Sequence, residues 1–449
     1  MKKTAYIIIT TFLLLGGHSP LQAQKKLLSL ADALGMASEG NKALQVQVLE
    51  EIHAAALTRE KRGTLLPSIS ANVAYSHFFD RQTIFLPGSF AGTSKPVQEI
   101  AVGGRNAYNG FISLYQPIFA PSIKRQTKAA LINEKMQHGK TADFNSRIAL
   151  RVSTNYLGIL MMMGQLDLLE QSLQRNIKAL KDAQSLFLQG RALKSDTLRS
   201  FIAVENLKSS VSYLKNSINV STIELKRLIG LEETNDIQLS DKLDVDLQRS
   251  QYEFYTVDEA LKTAEANRKD LGVQKLAIDF QQKKMKVAQA ELMPTLSLIG
   301  QYQVQAQSDD MRFGDYAWPR TSFLGVQLSV PIFNGNRTRS QISQANIRLQ
   351  QEQIRLNDFK DEIKTQLATI ISKWKEAKSQ LEIQKTTVNS AELNYQMNEN
   401  RFENGLSSRL ELTDAELALT QARINHLRAT YNLRVLHTEL QHTLGLLSL

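Results

Sequence analysis

Residues 294–333 read PTLSLIGQYQVQAQSDDMRFGDYAWPRTSFLGVQLSVPIF. Here Leu296, Leu298, Gly300, Tyr302 and Val304 alternate with Ser297, Gln301, Gln303 and Gln305. Further on, Leu324, Val326, Leu328 and Val330 alternate with Gly325, Gln327 and Ser329. Period-two alternation makes each run a strand with one apolar face and one small or polar face. A barrel strand between lipid and water has this pattern; so has a half-buried strand of a soluble sheet. Working backward, Ile69, Ala71, Val73 and Tyr75 alternate with Ser68, Ser70, Asn72 and Ala74, and Tyr108, Gly110, Ile112 and Leu114 make a weaker fourth run. Pro87, Gly88, Gly92, Pro96, Gly103 and Gly104 mark a long loop between the first two strands, and residues 309–319 a shorter one between the last two. Phe85, Phe90, Tyr316 and Trp318 in these connections suit a membrane–water boundary.

The prolines set out the rest of the chain. Apart from Pro20, all of them fall within residues 67–121 or 294–331. Residues 122–230 and 335–445 have none, so long helices are free to form there. Leu349, Leu356, Ile363, Ile370 and Ala377 are spaced by seven, a heptad-like stripe that predicts coiled-coil packing. A helix over 122–189 would extend roughly 100 Å at ~1.5 Å per residue. Gly190 and Gly405 each interrupt the helical pattern and predict the turn of a helical hairpin.

The two halves repeat. Ala33-Leu34 matches Ala260-Leu261, Leu66-Pro67-Ser68 matches Met293-Pro294-Thr295, and Tyr75 matches Tyr302, each 227 residues on. Pro117-Ile118-Phe119 matches Pro331-Ile332-Phe333 at 214, the difference being the shorter second loop. Phe187 and Gly190 match Phe402 and Gly405, and Ile229-Gly230-Leu231 matches Leu444-Gly445-Leu446, at 215. A tandem duplication is predicted. Residues 24–230 form the first repeat, with its hairpin at 67–118 and its tip near 190. Residues 231–256 link it to the second repeat, 257–449, with its hairpin at 294–332 and its tip near 405.

The first 23 residues predict export. Lys2 and Lys3 precede an apolar run through Leu15, and Leu21-Gln22-Ala23 ends in a small residue suited to cleavage before Gln24. Without Lys2 and Lys3 the formal charge falls from +10 to +8. Export weakens a nucleic-acid reading of that charge. No cysteine is present, which excludes disulfides, thiolate metal sites and cysteine nucleophiles. No later stretch has the ~18 apolar residues of a spanning helix, so strands must make any membrane span. Four strands cannot close a barrel, and an open sheet cannot sit in lipid with bare edges. The chain must therefore oligomerise; strand arithmetic leaves two or three copies open.

Chemistry is sparse. Residues 35–42 read G-x-x-x-x-G-N-K, which lacks the ending of a phosphate loop and has no strand before it. His437 and His442 are five apart and diverge around a helix, so with Glu439 they make a poor zinc set. Met161, Met162 and Met163 point in different directions around a helix and suit core filling. No catalytic constellation, cofactor motif or metal set is found. The basic excess of residues 121–230 suits solvated helix surface, and would bias a duct toward anions if it faced inward.

The export signal, the duplicated helix–hairpin–helix plan, the Gln116-Pro117-Ile118-Phe119 and Val330-Pro331-Ile332-Phe333 boundaries and the glycine tips resemble the TolC-type outer membrane efflux family. The resemblance covers essentially all of the mature chain. It implies an α+β membrane protein of long helical hairpins and four strands per chain. It further implies a homotrimer with a twelve-stranded β-barrel in outer membrane lipid, continued into the periplasm by a twelve-helix barrel. The implied partners are a periplasmic adaptor and an inner-membrane pump of the RND type, with no nucleic acid. The segment 232–258 would match the family's equatorial region. Glu411 and Asp414, six and nine residues after Gly405, match the family's paired acidic residues at the channel constriction. Asp196, six after Gly190, matches an aspartate that helps hold the closed end. The turns at Gly190 and Gly405 would carry the adaptor-docking tip. Some family members latch that tip through a tyrosine and an arginine, where this chain has Phe402 and Ser407; Arg401 and Arg409 are the candidate substitutes as partner of Asp196. The function implied is passive conduction across the outer membrane. A type I secretion exit channel and a non-transporting envelope spacer are the alternatives.

Overall fold

The computed structural model describes residues 26–92, 94–243 and 256–449. The expected signal peptide, its cleavage point before Gln24, and residues 244–255 of the linking segment lie outside the described residues. The first half contains β1 (Lys26–Leu28), α1 (Leu30–Gly40), α2 (Lys42–Gly63), β2 (Ser68–His77), β3 (Gln82–Pro87), β4 (Val97–Val102), β5 (Asn106–Phe119), α3 (Pro121–Leu188) and α4 (Lys194–Ile229). Then come β6 (Ile237–Leu239), α5 (Val257–Asn267), α6 (Lys269–Ala290), β7 (Thr295–Ser308), β8 (Arg320–Ser329), α7 (Arg337–Glu403) and α8 (Arg409–Thr443). No described helix is long and apolar enough to cross a membrane. The chain divides into two compact units. One holds residues 46–144 and 261–366, the other the remaining described residues.

The first of these units carries an antiparallel sheet in the order β2-β5-β7-β8. β2 and β8 are its edges, each paired on one side only. The connection between β2 and β5 differs from the predicted loop: β3 and β4 pair along it as a second hairpin, from Gln82↔Val102 to Pro87↔Val97. Pro87 and Pro96 read as loop punctuation, yet Pro87 closes β3 and Pro96 just precedes β4, where a missing ladder donor costs least.

The other unit is helical. Ile148, Val152, Tyr156 and Ile159 of α3 are buried, with Val204, Val211 and Leu214 of α4 and Leu419, Leu433 and Leu440 of α8. Trp374 and Leu381 of α7, seven apart, pack on Ala429 and Leu433 of α8. β1 pairs in parallel with β6, a contact the sequence does not announce. The buried Tyr156 hydroxyl ties this junction together, donating to Leu28 O at 2.8 Å and to Asp241 Oδ2 at 3.0 Å. Asp241 Oδ2 also accepts from Leu30 N–H at 2.9 Å.

Local rules place the helix ends. Ser29 caps α1 in a reciprocal box with Asp32. α3, α4, α7 and α8 all end alike, with the residue after a glycine donating five residues back: Arg191 to Leu186 O, Leu231 to Lys226 O, Leu406 to Arg401 O and Leu446 to Gln441 O. The glycines are Gly190, Gly230, Gly405 and Gly445, all at positive φ. α1 and α5 both have 11 residues, and α2 and α6 both have 22. α3 and α7 have 68 and 67, and α4 and α8 have 36 and 35.

Candidate functional site

The sheet register separates two faces. Paired residues share a face, so Val73, Gly110 and Val304 lie together, as do Ile112 with Tyr302 and Gly300 with Leu324. This face is apolar, and Val73 and Leu324 are 90% and 70% exposed. The opposite face is wet. Ser70 Oγ lies 2.7 Å from Ser113 Oγ. Gln303 donates to Asn109 Oδ1 at 3.0 Å, and Gln301 donates to Gln303 Oε1 at 3.1 Å. At the far end of the apolar face the Tyr108 ring meets Tyr75, Phe313, Tyr316 and Trp318 at centroid distances of 5.1, 5.1, 6.0 and 6.2 Å. Of the four aromatics expected at a membrane boundary, Tyr316 and Trp318 join this cluster. Phe85 lies on the inserted hairpin and Phe90 in the turn beside it, both exposed.

In the helical unit, the predicted site residues are carried by two similar helix starts. α8 begins with Ser408 as N-cap, whose Oγ accepts from Glu411 N–H at 3.2 Å. The Glu411 carboxylate returns to Ser408 N–H at 3.2 Å and takes the Ser407 hydroxyl. The Ser407 hydroxyl first, then Ser408 N–H and the nearby Arg401, hold Glu411 below the usual carboxylate range. It therefore stays ionised under mildly acidic conditions. Asp196 occupies the same place on α4, accepting from Leu193 N–H at 3.2 Å. Asp414 is exposed one turn beyond Glu411, with no polar partner among the described residues. Glu411 and Asp196 thus have a local capping role, which the S-x-x-E spacing at 408–411 signals for Glu411.

The arginines take different positions. Arg401 braces the turn at Gly405 by donating to Leu406 O at 3.2 Å. The Arg409 guanidinium lies over the Phe402 ring, 5.2 Å from its centroid. Arg409 and Asp196 line one small cavity with Asn176, Arg199, Ser200 and Thr413. They form no ion pair, and the buried Nε of Arg409 has no partner. Sequence reasoning missed a buried cluster nearby. Glu416, 7% exposed, accepts at Oε1 from Arg175 Nε at 2.9 Å, Asn176 Nδ2 at 3.1 Å and Ser172 Oγ at 3.4 Å. Its signal was a carboxylate within the apolar stripe of Leu412, Ala415 and Leu419. The histidines are separated in role: His442 Nδ1 lies 2.9 Å from Ser146 Oγ, while burial lowers the His437 pKa.

Comparison with known proteins joins these features. Residues 260–446 match the model of the outer membrane efflux protein family. The alkaline protease secretion protein AprF of Pseudomonas aeruginosa is 22% identical over 345 residues, covering 76% of this chain and 70% of that protein. The outer-membrane channel OprN superposes with a TM-score of 0.74 at 16% identity, over 93% of this chain and 89% of that one. The open state of the Neisseria gonorrhoeae MtrE outer membrane channel gives 0.71 at 18% identity, with the same two coverages. Residues 260–446 thus match the outer membrane efflux protein family, and over 93% of its length the chain has the fold of these outer-membrane channels.

Proposed function

We propose that the chain is the exit duct of a tripartite efflux system, conducting substrates passively from a periplasmic adaptor and an inner-membrane pump of the RND type. The observation that carries this reading is the four-stranded sheet: one face apolar and bare, the other lined by Gln and Ser, both edges unpaired. In lipid such edges must be closed by further strands. Three copies supply twelve strands, an even number within the range of outer membrane barrels. The twelve long helices of three copies then continue the duct into the periplasm. Residues 24–230 and 257–449 are two repeats joined by 231–256, a reading supported by the near-equal lengths of corresponding helices.

In the trimer Glu411 and Asp414 form two carboxylate rings at the constriction, with Asp196 beside them. Such rings favour cations locally. The turns at Gly190 and Gly405, with Arg401 and Arg409, form the end that meets the adaptor. Opening splays these turns, and adaptor contact supplies the differential binding that shifts the equilibrium. The duct itself hydrolyses nothing and needs no cofactor. A second reading, the exit channel of a type I secretion system, is favoured by the match to AprF, which is named for protease secretion.

The site assignment is tested by Glu411→Ala with Asp414→Ala. Reversal potentials in asymmetric salt are expected to shift toward lower cation preference while assembly persists. Unchanged reversal potentials from an intact oligomer would contradict the acidic rings.

A further inference from the structure

The two ends of the sheet differ in charge. At the end where the strands meet the helices, Arg59, Lys61 and Arg62 close α2, and Lys124, Arg125 and Lys128 open α3. Lys283, Lys284 and Lys286 close α6, and Arg337 and Arg339 open α7. Residues 59–66, 118–128, 283–293 and 330–339 thus hold 11 basic residues against Glu60 and Glu291 alone. Two contacts join three of these segments in space. Thr127 donates to Lys61 O at 3.2 Å, and Arg125 donates to Lys286 O at 2.7 Å. The opposite end is balanced. Residues 78–105 and 309–320 hold five basic and five acidic side chains, and Arg81 pairs with Asp309 and Arg312 with Asp310.

Within the basic band only Lys61, with Glu60, and Lys283, with Asp279, have a carboxylate partner among the described residues. Arg62, Lys124, Lys128, Lys284, Lys286, Arg337 and Arg339 have none, and all seven are exposed. In a symmetric ring, neighbouring copies present the same band at the same height and add to the excess. A second observation points to what does. Leu66, Ile118, Phe119 and Leu292 lie in the same segments, at least half exposed, and Ile332 and Phe333 are 94% and 81% exposed. Bare apolar side chains next to unpaired cations suit a bilayer boundary, where acyl chains meet charged headgroups.

We propose that this band binds the phosphate-bearing headgroups of anionic phospholipids in the membrane leaflet nearest the helices, and so fixes the depth of the sheet in the bilayer. The inference rests on the reading of the sheet as the membrane-spanning part. The test reconstitutes the full-length protein in bilayers of equal phosphatidylglycerol and phosphatidylethanolamine, then identifies retained lipids by native mass spectrometry. Wild type is expected to retain the anionic lipid at least fivefold over the zwitterionic one. The quadruple variant Arg62→Gln, Lys124→Gln, Lys128→Gln, Arg339→Gln is expected to lose that preference. Lys95→Gln with Arg312→Gln, at the balanced end, should keep it. Equal retention by wild type and the quadruple variant would overturn the proposal. So would displacement of the lipid by millimolar inorganic phosphate, or a changed ion selectivity in the quadruple variant with lipid retention unaltered, which would turn the band toward the bore. Failure of wild type to enter the bilayer at all would instead overturn the membrane reading of the sheet, and this inference with it.

Discussion

Gly230→Ala is expected to destabilise the fold severely. Gly230 sits at φ 76, where a side chain is strained. A Cβ there would lie 2.2 Å from the carbonyl oxygen of Gly40. That atom is backbone at the end of α1, so no rotamer change relieves the clash. α1 is fixed in turn, because Asn41 donates to Leu228 O at 2.8 Å and Asp241 holds Leu30 N–H. Left-handed strain of about 1–2 kcal/mol plus a backbone clash puts the loss at roughly 4 kcal/mol or more. The unfolding midpoint of the detergent-solubilised protein measures it. Gly35→Ala is the control: nothing lies within 4 Å of the added Cβ, and the helix gains propensity. A Gly230→Ala midpoint equal to wild type would show that the α1–α4 junction is looser than described.

Arg175→Met is expected to be nearly as damaging, through the carboxylate it leaves behind. The Glu416 side chain is 9% exposed and that of Arg175 32%, so the buried charge is on the glutamate. Removing the arginine leaves Asn176 and Ser172 as neutral donors to a desolvated anion, a loss of about 3–5 kcal/mol. Replacing both partners with apolar residues, Arg175→Met with Glu416→Leu, should recover most of it, because the desolvation penalty disappears with the charge. Denaturant unfolding of the two variants decides the matter. A double variant no more stable than Arg175→Met would mean that packing, not charge, holds α8 against α3 here.

Legibility in the sequence followed the range of the interactions. The sheet strands are written in alternation because each has a bare apolar face, and the long helices in the absence of proline and the recurrence of apolar residues. β1 and β6 have three residues each and meet across more than 200 residues, so no local pattern records them. β3 and β4 are hidden by the prolines that bound them. The seven-residue stripe located α7 and one of its deepest positions, Ile363, but not Leu367, Trp374 and Leu381. Ile363, Leu367, Trp374 and Leu381 are buried, while Leu349, Leu356, Ile370 and Ala377 are half-buried. Leu367, Trp374 and Leu381 form a second seven-residue stripe, offset by four from Ile363, the other side of an a/d-type seam. At the tips the acidic residues were legible as residue types at family spacings. Their capping bonds were legible only as a motif, and the separation of Arg409 from Asp196 not at all.

The central claim is that this chain assembles into a conducting duct across the outer membrane. Single-channel conductance of the purified protein in a planar bilayer tests it most directly, with wild type beside the Glu411→Ala, Asp414→Ala variant. The account predicts small, cation-selective openings in wild type that enlarge or lose selectivity in the variant. A correctly assembled oligomer that conducts in neither form would contradict it, and would leave the chain as a spacer in the envelope.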